Sequence, residues 1–139
     1  MVAKRALPVV SLLVPALFMS SACGANCTDI GASSGVEVVI TGDAAIATSD
    51  TRMDVTTCVR GHCPGTASDI SPGERPTFFV EAPWVDSDEP IEVQVTVHEG
   101  ARIVAGPTTF TIRPDVVQPN GPSCEPTEYV AKVEIPAHP

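Results

Sequence analysis

Five cysteines, at positions 23, 27, 58, 63 and 124, are the residues of this 139-residue chain best equipped for chemistry. A thiol can ligate a metal, attack an electrophile, accept an acyl chain or pair with a second thiol, and spacing separates these uses. Cys58, His62 and Cys63 have metal-ligand types but match no C-x2-C zinc spacing. Carboxylates are the second resource. In "WVDSDEP", Asp86, Asp88 and Glu89 follow the single tryptophan, Trp84. Clustered acids supply the oxygens that calcium takes, although the loop lacks the glycine turn and distal bidentate acid of an EF-hand. Asp50 and Asp54 in "TSDTRMD" make a weaker pair, and His62, His98 and His138 share no ligand spacing. No G-x-S-x-G surrounds Ser33 and Ser34, and there is no H-E-x-x-H or phosphate-binding glycine loop. The residues argue against an enzyme and imply no cofactor. A calcium site at residues 86–89 is the alternative.

The elements that hold these residues begin with a leader. "MVAKRALPVVSLLVPALFM" has Lys4 and Arg5, then an apolar run of about fourteen residues to Met19, then the small residues Ser20, Ser21 and Ala22. That is the three-part pattern of a secretory signal over residues 1–22. The run is shorter than the roughly 20 residues that span a bilayer, and Pro8 and Pro15 interrupt it. Beyond it, six basic residues stand against 17 acidic ones, a net charge of −11. Such a surface repels nucleic acid and anionic lipid headgroups, which need Lys/Arg patches. The acidity serves solubility.

In an exported chain, an odd cysteine count needs an explanation beyond disulfides. Here "SSAC" resembles a bacterial lipoprotein signal, in which a cysteine behind small residues becomes the first mature residue and is acylated on sulfur. Ser20 stands where Leu is common in that signal. The resemblance implies Cys23 as the lipid site, residues 23–35 as attachment and short tether, and a location on the outer face of the cytoplasmic membrane. Ordinary cleavage after Ala22, giving a freely secreted domain, is the alternative. Cys27 is the poorer acylation site, since Asn26 precedes it and the apolar run is further away.

With Cys23 set aside, four cysteines make two bridges. "TTCVRGHC" reads as strand, turn, strand, with Arg60 and Gly61 in the turn and Val59 and His62 as the flanking hydrogen-bonded pair. Cys58 and Cys63 then form the next, non-hydrogen-bonded pair, whose Cα atoms approach to about 4.5 Å, within disulfide reach. This leaves Cys27–Cys124. Two other pairings stay open at this level.

Past Cys27 the apolar residues recur with period two. In "IEVQVTVHEG", Ile91, Val93, Val95 and Val97 face one way, and Glu99 with Gly100 turns the chain into "ARIVAG". "GVEVVI", "MDVTTCV", "RPTFFVEAP", "TTFTIRP" and "EYVAKVEI" behave alike, the last placing Tyr129, Ala131, Val133 and Ile135 inward. Fourteen prolines and ten glycines punctuate these runs, and only "TGDAAIATSD" leaves room for a short helix or loop. The pattern predicts an all-β fold over residues 36–139, an antiparallel two-sheet sandwich with immunoglobulin-like or transthyretin-like topology. A small barrel is the second choice.

"CTDIGASSGVEVVI", "CVRGHC" and "PNGPSCEPTEY" together resemble small secreted lipoproteins of actinobacteria of unknown function. Members of that set often carry a cysteine where this chain has Glu128. These are structural motifs, so the resemblance speaks to fold and cysteines more than to activity. The stiff, proline-rich loop "RPDVVQPNGPSCEPTE", with Asn120 and Gly121, reads as a plain rigid connection or, alternatively, as the interaction surface, because loops at one end of a sandwich commonly bind. The sequence thus predicts a non-catalytic binding or structural module of the cell envelope, with a lipid anchor and an unidentified protein or envelope partner.

Overall fold

The computed structural model describes Cys27, residues 31–43 and residues 47–139. Cys23 and the leader lie outside the described residues, as do residues 44–46 of the "TGDAAIATSD" stretch. Eight strands form: β1 (Gly35–Thr41), β2 (Thr51–Val59), β3 (Gly65–Ile70), β4 (Thr77–Glu81), β5 (Ile91–Glu99), β6 (Arg102–Ile112), β7 (Asp115–Val117) and β8 (Glu128–Pro136). They make two four-stranded sheets, ordered β4-β1-β8-β7 and β3-β2-β5-β6, and the fold is all-β. This is the two-sheet sandwich that the alternating pattern predicts, with β1 and β2 in opposite sheets. One pairing, β1 with β8, is parallel.

Period-two patterning fills the space between the sheets. Val36, Val38 and Ile40 of β1 and Ala131, Val133 and Ile135 of β8 meet Val55 and Val59 of β2 and Ile91, Val93, Val95 and Val97 of β5, all buried. Of the two adjacent phenylalanines, Phe78 is buried and Phe79 faces out. Each buried valine removes apolar area worth roughly 1.5–3 kcal/mol. Among the described residues a single polar side chain is fully buried, Thr57 on the inward face of β2, and its hydroxyl has no hydrogen-bond partner. An unpaired buried hydroxyl costs about 1–3 kcal/mol. Thr57→Val keeps the branched shape and removes that cost. We expect it to raise the urea midpoint by an amount equivalent to about 1 kcal/mol, with an unchanged slope.

Three departures from the period-two reading have physical reasons. "ARIVAG" and "TTFTIRP" form one strand, β6, because the "AGP" punctuator is absorbed as a bulge. Gly106 takes φ +75° there, and two residues of β6 oppose the single Thr96 of β5. Edge strands tolerate proline, and β6 is an edge. A second register shift lets consecutive residues, Val104 and Ala105, both face inward. The β5–β6 turn is Gly100–Ala101, one residue later than expected, since Glu99 still pairs with Arg102. Finally, residues 115–117 of the proline-rich loop pair with β8 as β7.

Candidate functional site

The strand directions sort the chemistry-bearing residues onto two ends of the sandwich. One end gathers the start of β1, the β2–β3 hairpin, the residues after β4 and the loop between β7 and β8. The other gathers the end of β1, the start of β2, the β5–β6 turn and the residues after β8.

The first end holds both disulfides. Arg60 and Gly61 turn the β2–β3 hairpin with φ of +50° and +83°, the positive pair that a tight two-residue hairpin turn requires. Val59 and His62 exchange two backbone hydrogen bonds of 2.8 and 2.9 Å. Cys58 and Cys63 follow as the opposed pair, bonded to each other with Cα atoms 4.0 Å apart. Cys27 is bonded to Cys124, Cα to Cα 5.8 Å, across 97 positions of sequence. Glu128 has a different partner: its carboxylate accepts a 2.6 Å hydrogen bond from the buried Ser34 hydroxyl, which in turn accepts from the Tyr129 amide. Ser34 therefore stitches the entry of β1 to the start of β8. Two disulfides mark an oxidising, extracytoplasmic environment.

The acidic loop packs onto this end. Trp84 is half-buried against the core, with its ring 4.8 Å from that of His62 and tilted by 36°. Arg60 reaches across to the Trp84 carbonyl at 3.2 Å and the Asp86 carboxylate at 3.1 Å. Arg113 likewise bonds the Asp88 carbonyl and carboxylate, at 2.9 and 3.1 Å. Glu89 is exposed. The carboxylates thus meet arginines and not one another, and among the described residues no three His, Cys, Asp or Glu side chains converge. Each exposed pair adds at most about 1 kcal/mol, so their main effect is to hold the loop against the hairpin.

Asn120 and Gly121 are internal to their loop. Asn120 is buried and donates to the Glu125 carbonyl at 2.7 Å, and Gly121, at φ +108°, bonds Gln118 and Cys124 through its backbone. With Cys124 buried beside them, these residues fix the loop's shape.

At the opposite end, a cleft of about 240 Å³ opens between the sheets. Ile40, Met53 and Val104 form an apolar floor, all nearly fully buried. Glu99, at the last position of β5, accepts hydrogen bonds from the Thr51 hydroxyl and the Arg102 guanidinium, each at 2.5 Å. The Thr51 hydrogen bond, followed by the Arg102 contacts, holds the Glu99 carboxyl below the usual glutamate range. Asp43 and Ser49 add polar rim. The residues after β8 close the side: Ala137 donates to the Thr41 carbonyl, the His138 amide to the Val104 carbonyl, and the His138 ring lies 3.0 Å from the Gly106 carbonyl. His138 is exposed, as its place near the end of the sequence suggests, and it also lines this cleft. Sequence reading passed over it because Thr51, Glu99, Arg102 and His138 meet only across strands. Glu99 and Arg102 flanking a glycine turn were the one local signal. No protein family, curated protein or solved structure matches the chain.

Proposed function

We propose that the protein is an extracytoplasmic lipoprotein, held by an acylated Cys23 at the outer face of the cytoplasmic membrane, that acts as a non-catalytic binding or structural module of the cell envelope. One observation carries the reading: four of the five cysteines are joined to one another, which leaves Cys23 as the single thiol for an acyl chain. The resemblance of "SSAC" to a lipoprotein signal supports the same position. The four steps from Cys23 to Cys27 span at most about 14 Å. Because Cys27 is bonded to Cys124, such an anchor keeps the disulfide-bearing end against the membrane and presents the cleft outward.

The test is the intact mass of protein extracted from membranes, before and after reduction and alkylation. The expected result is a chain starting at Cys23 with added acyl mass and four thiols that alkylate only after reduction. Cys23→Ala should move most of the protein from the membrane to the soluble fraction. A chain without lipid, or a fifth free thiol, would overturn the anchor and favour a freely secreted domain.

A further inference from the structure

We propose that the cleft at the end remote from Cys27 binds a primary ammonium group carried on a short aliphatic stem. The lining combines two chemistries that such a ligand needs, an apolar floor and a carboxylate. Ile40, Met53 and Val104 supply a dry floor. Above it, Glu99 is fixed in place, because one carboxylate oxygen takes the Thr51 hydroxyl and the other takes Arg102. A carboxylate oxygen has two lone pairs, so each can accept one more donor without losing its present one. Asp43 brings a second carboxylate to the same cleft, so Arg102 leaves the acids of the lining in excess. The charge of the chain beyond the leader, −11, points the same way: it draws cations towards the protein and disfavours carboxylate or phosphate ligands.

Size narrows the class further. A water occupies roughly 30 Å³, so the cleft has room for a ligand of several heavy atoms and none for a folded chain. An alkylammonium can be a free small amine or the side chain of a lysine on a partner, and the chemistry at Glu99 is the same for both. That the cleft faces away from the membrane rests on the tether proposed above. Its affinity for an amine does not.

The test is a titration of the intact, 15N-labelled protein with butylammonium chloride, followed by amide chemical shifts. Sodium butyrate and sodium chloride at equal ionic strength are the controls. Saturable shifts confined to residues around Thr51, Glu99 and Val104, absent with both controls, are the expected result. Glu99→Gln should weaken binding roughly tenfold to a hundredfold, as loss of a charged hydrogen-bond partner does. Ser49→Trp, on the exposed rim, should block entry without touching the core. A blocked peptide with a single lysine separates the sources: binding at least as tight as butylammonium identifies a protein lysine, and its failure beside a positive amine result identifies a free amine. Absence of saturable shifts at the cleft, equal shifts with butyrate, or binding that Ser49→Trp and Glu99→Gln both leave unchanged would overturn the proposal. An unlipidated mass would overturn the tether and leave the cleft result standing.

Discussion

Replacing Cys27 and Cys124 together with alanine should lower the unfolding free energy by about 4–5 kcal/mol. The bridge joins residues 97 positions apart, and in the chain-entropy account a closed loop of about that length removes roughly 4.7 kcal/mol of freedom from the unfolded chain. The folded side adds to this. Cys124 is 3 % exposed, and its loop is fixed by Asn120 on the Glu125 carbonyl and by backbone bonds around Gly121. Removing the sulfur therefore leaves a void under that loop. The companion double replacement of Cys58 and Cys63 removes a bridge that closes a loop of only six residues, and the same account gives a loss of about 2 kcal/mol. Urea unfolding of the two double variants under identical conditions tests the ranking. Equal losses, or a smaller loss at Cys27 and Cys124, would show that the long bridge constrains little.

Gly106→Ala should cost about 3 kcal/mol, more than any exposed alanine substitution in the chain. Gly106 holds φ +75°, a region where a side chain costs roughly 1–2 kcal/mol. An added Cβ would also overlap the Val95 carbonyl and crowd the Thr108 amide at 3.1 Å and the Ile135 Cδ1 at 3.3 Å. Two of these three are backbone atoms of the β5–β6 ladder and cannot swing aside, so overpacking adds a further 1–3 kcal/mol or so. The same carbonyl that Gly106 offers to His138 would shift, and the wall of the cleft with it. Thermal unfolding measures the first effect, and the amide shift of His138 the second. Gly42 provides the control, since it has φ +92° and open space around its Cα, so alanine there meets the backbone term alone.

The strands were legible because burial in a sandwich is imposed one face at a time. Ile91, Val93, Val95 and Val97 alternate with polar residues, and all four are buried. The Cys58–Cys63 bridge was legible for a related reason, since its geometry is set by a two-residue turn written in four consecutive letters. β3 was harder to read: "GTASDI" has hardly any apolar alternation because it lies at a sheet edge with only Ile70 buried. The bulge of β6 hid behind Gly106 and Pro107, residues that end strands more often than they bend them. Asp86 and Asp88 are each paired with an arginine, and the partners Arg60 and Arg113 lie 26 and 25 positions away, where no local pattern announces them. The cleft was the least legible part, because it is made by four strand ends and the residues after β8.

The parallel pairing of β1 with β8 sets the order in which the molecule can come into being. Gly35 stands opposite Val130 and Thr41 opposite Pro136, so the central seam of one sheet joins residues some 95 positions apart. Contacts of such separation slow folding, since the chain must close a long loop before they repay it. During synthesis, β1 emerges first and waits for β8. Its sheet has no middle until almost the whole chain has appeared. The sheet β4-β1-β8-β7 and the bridge from Cys27 to Cys124 are therefore completed last, after β2, β3, β5 and β6 have all they need to pair with one another.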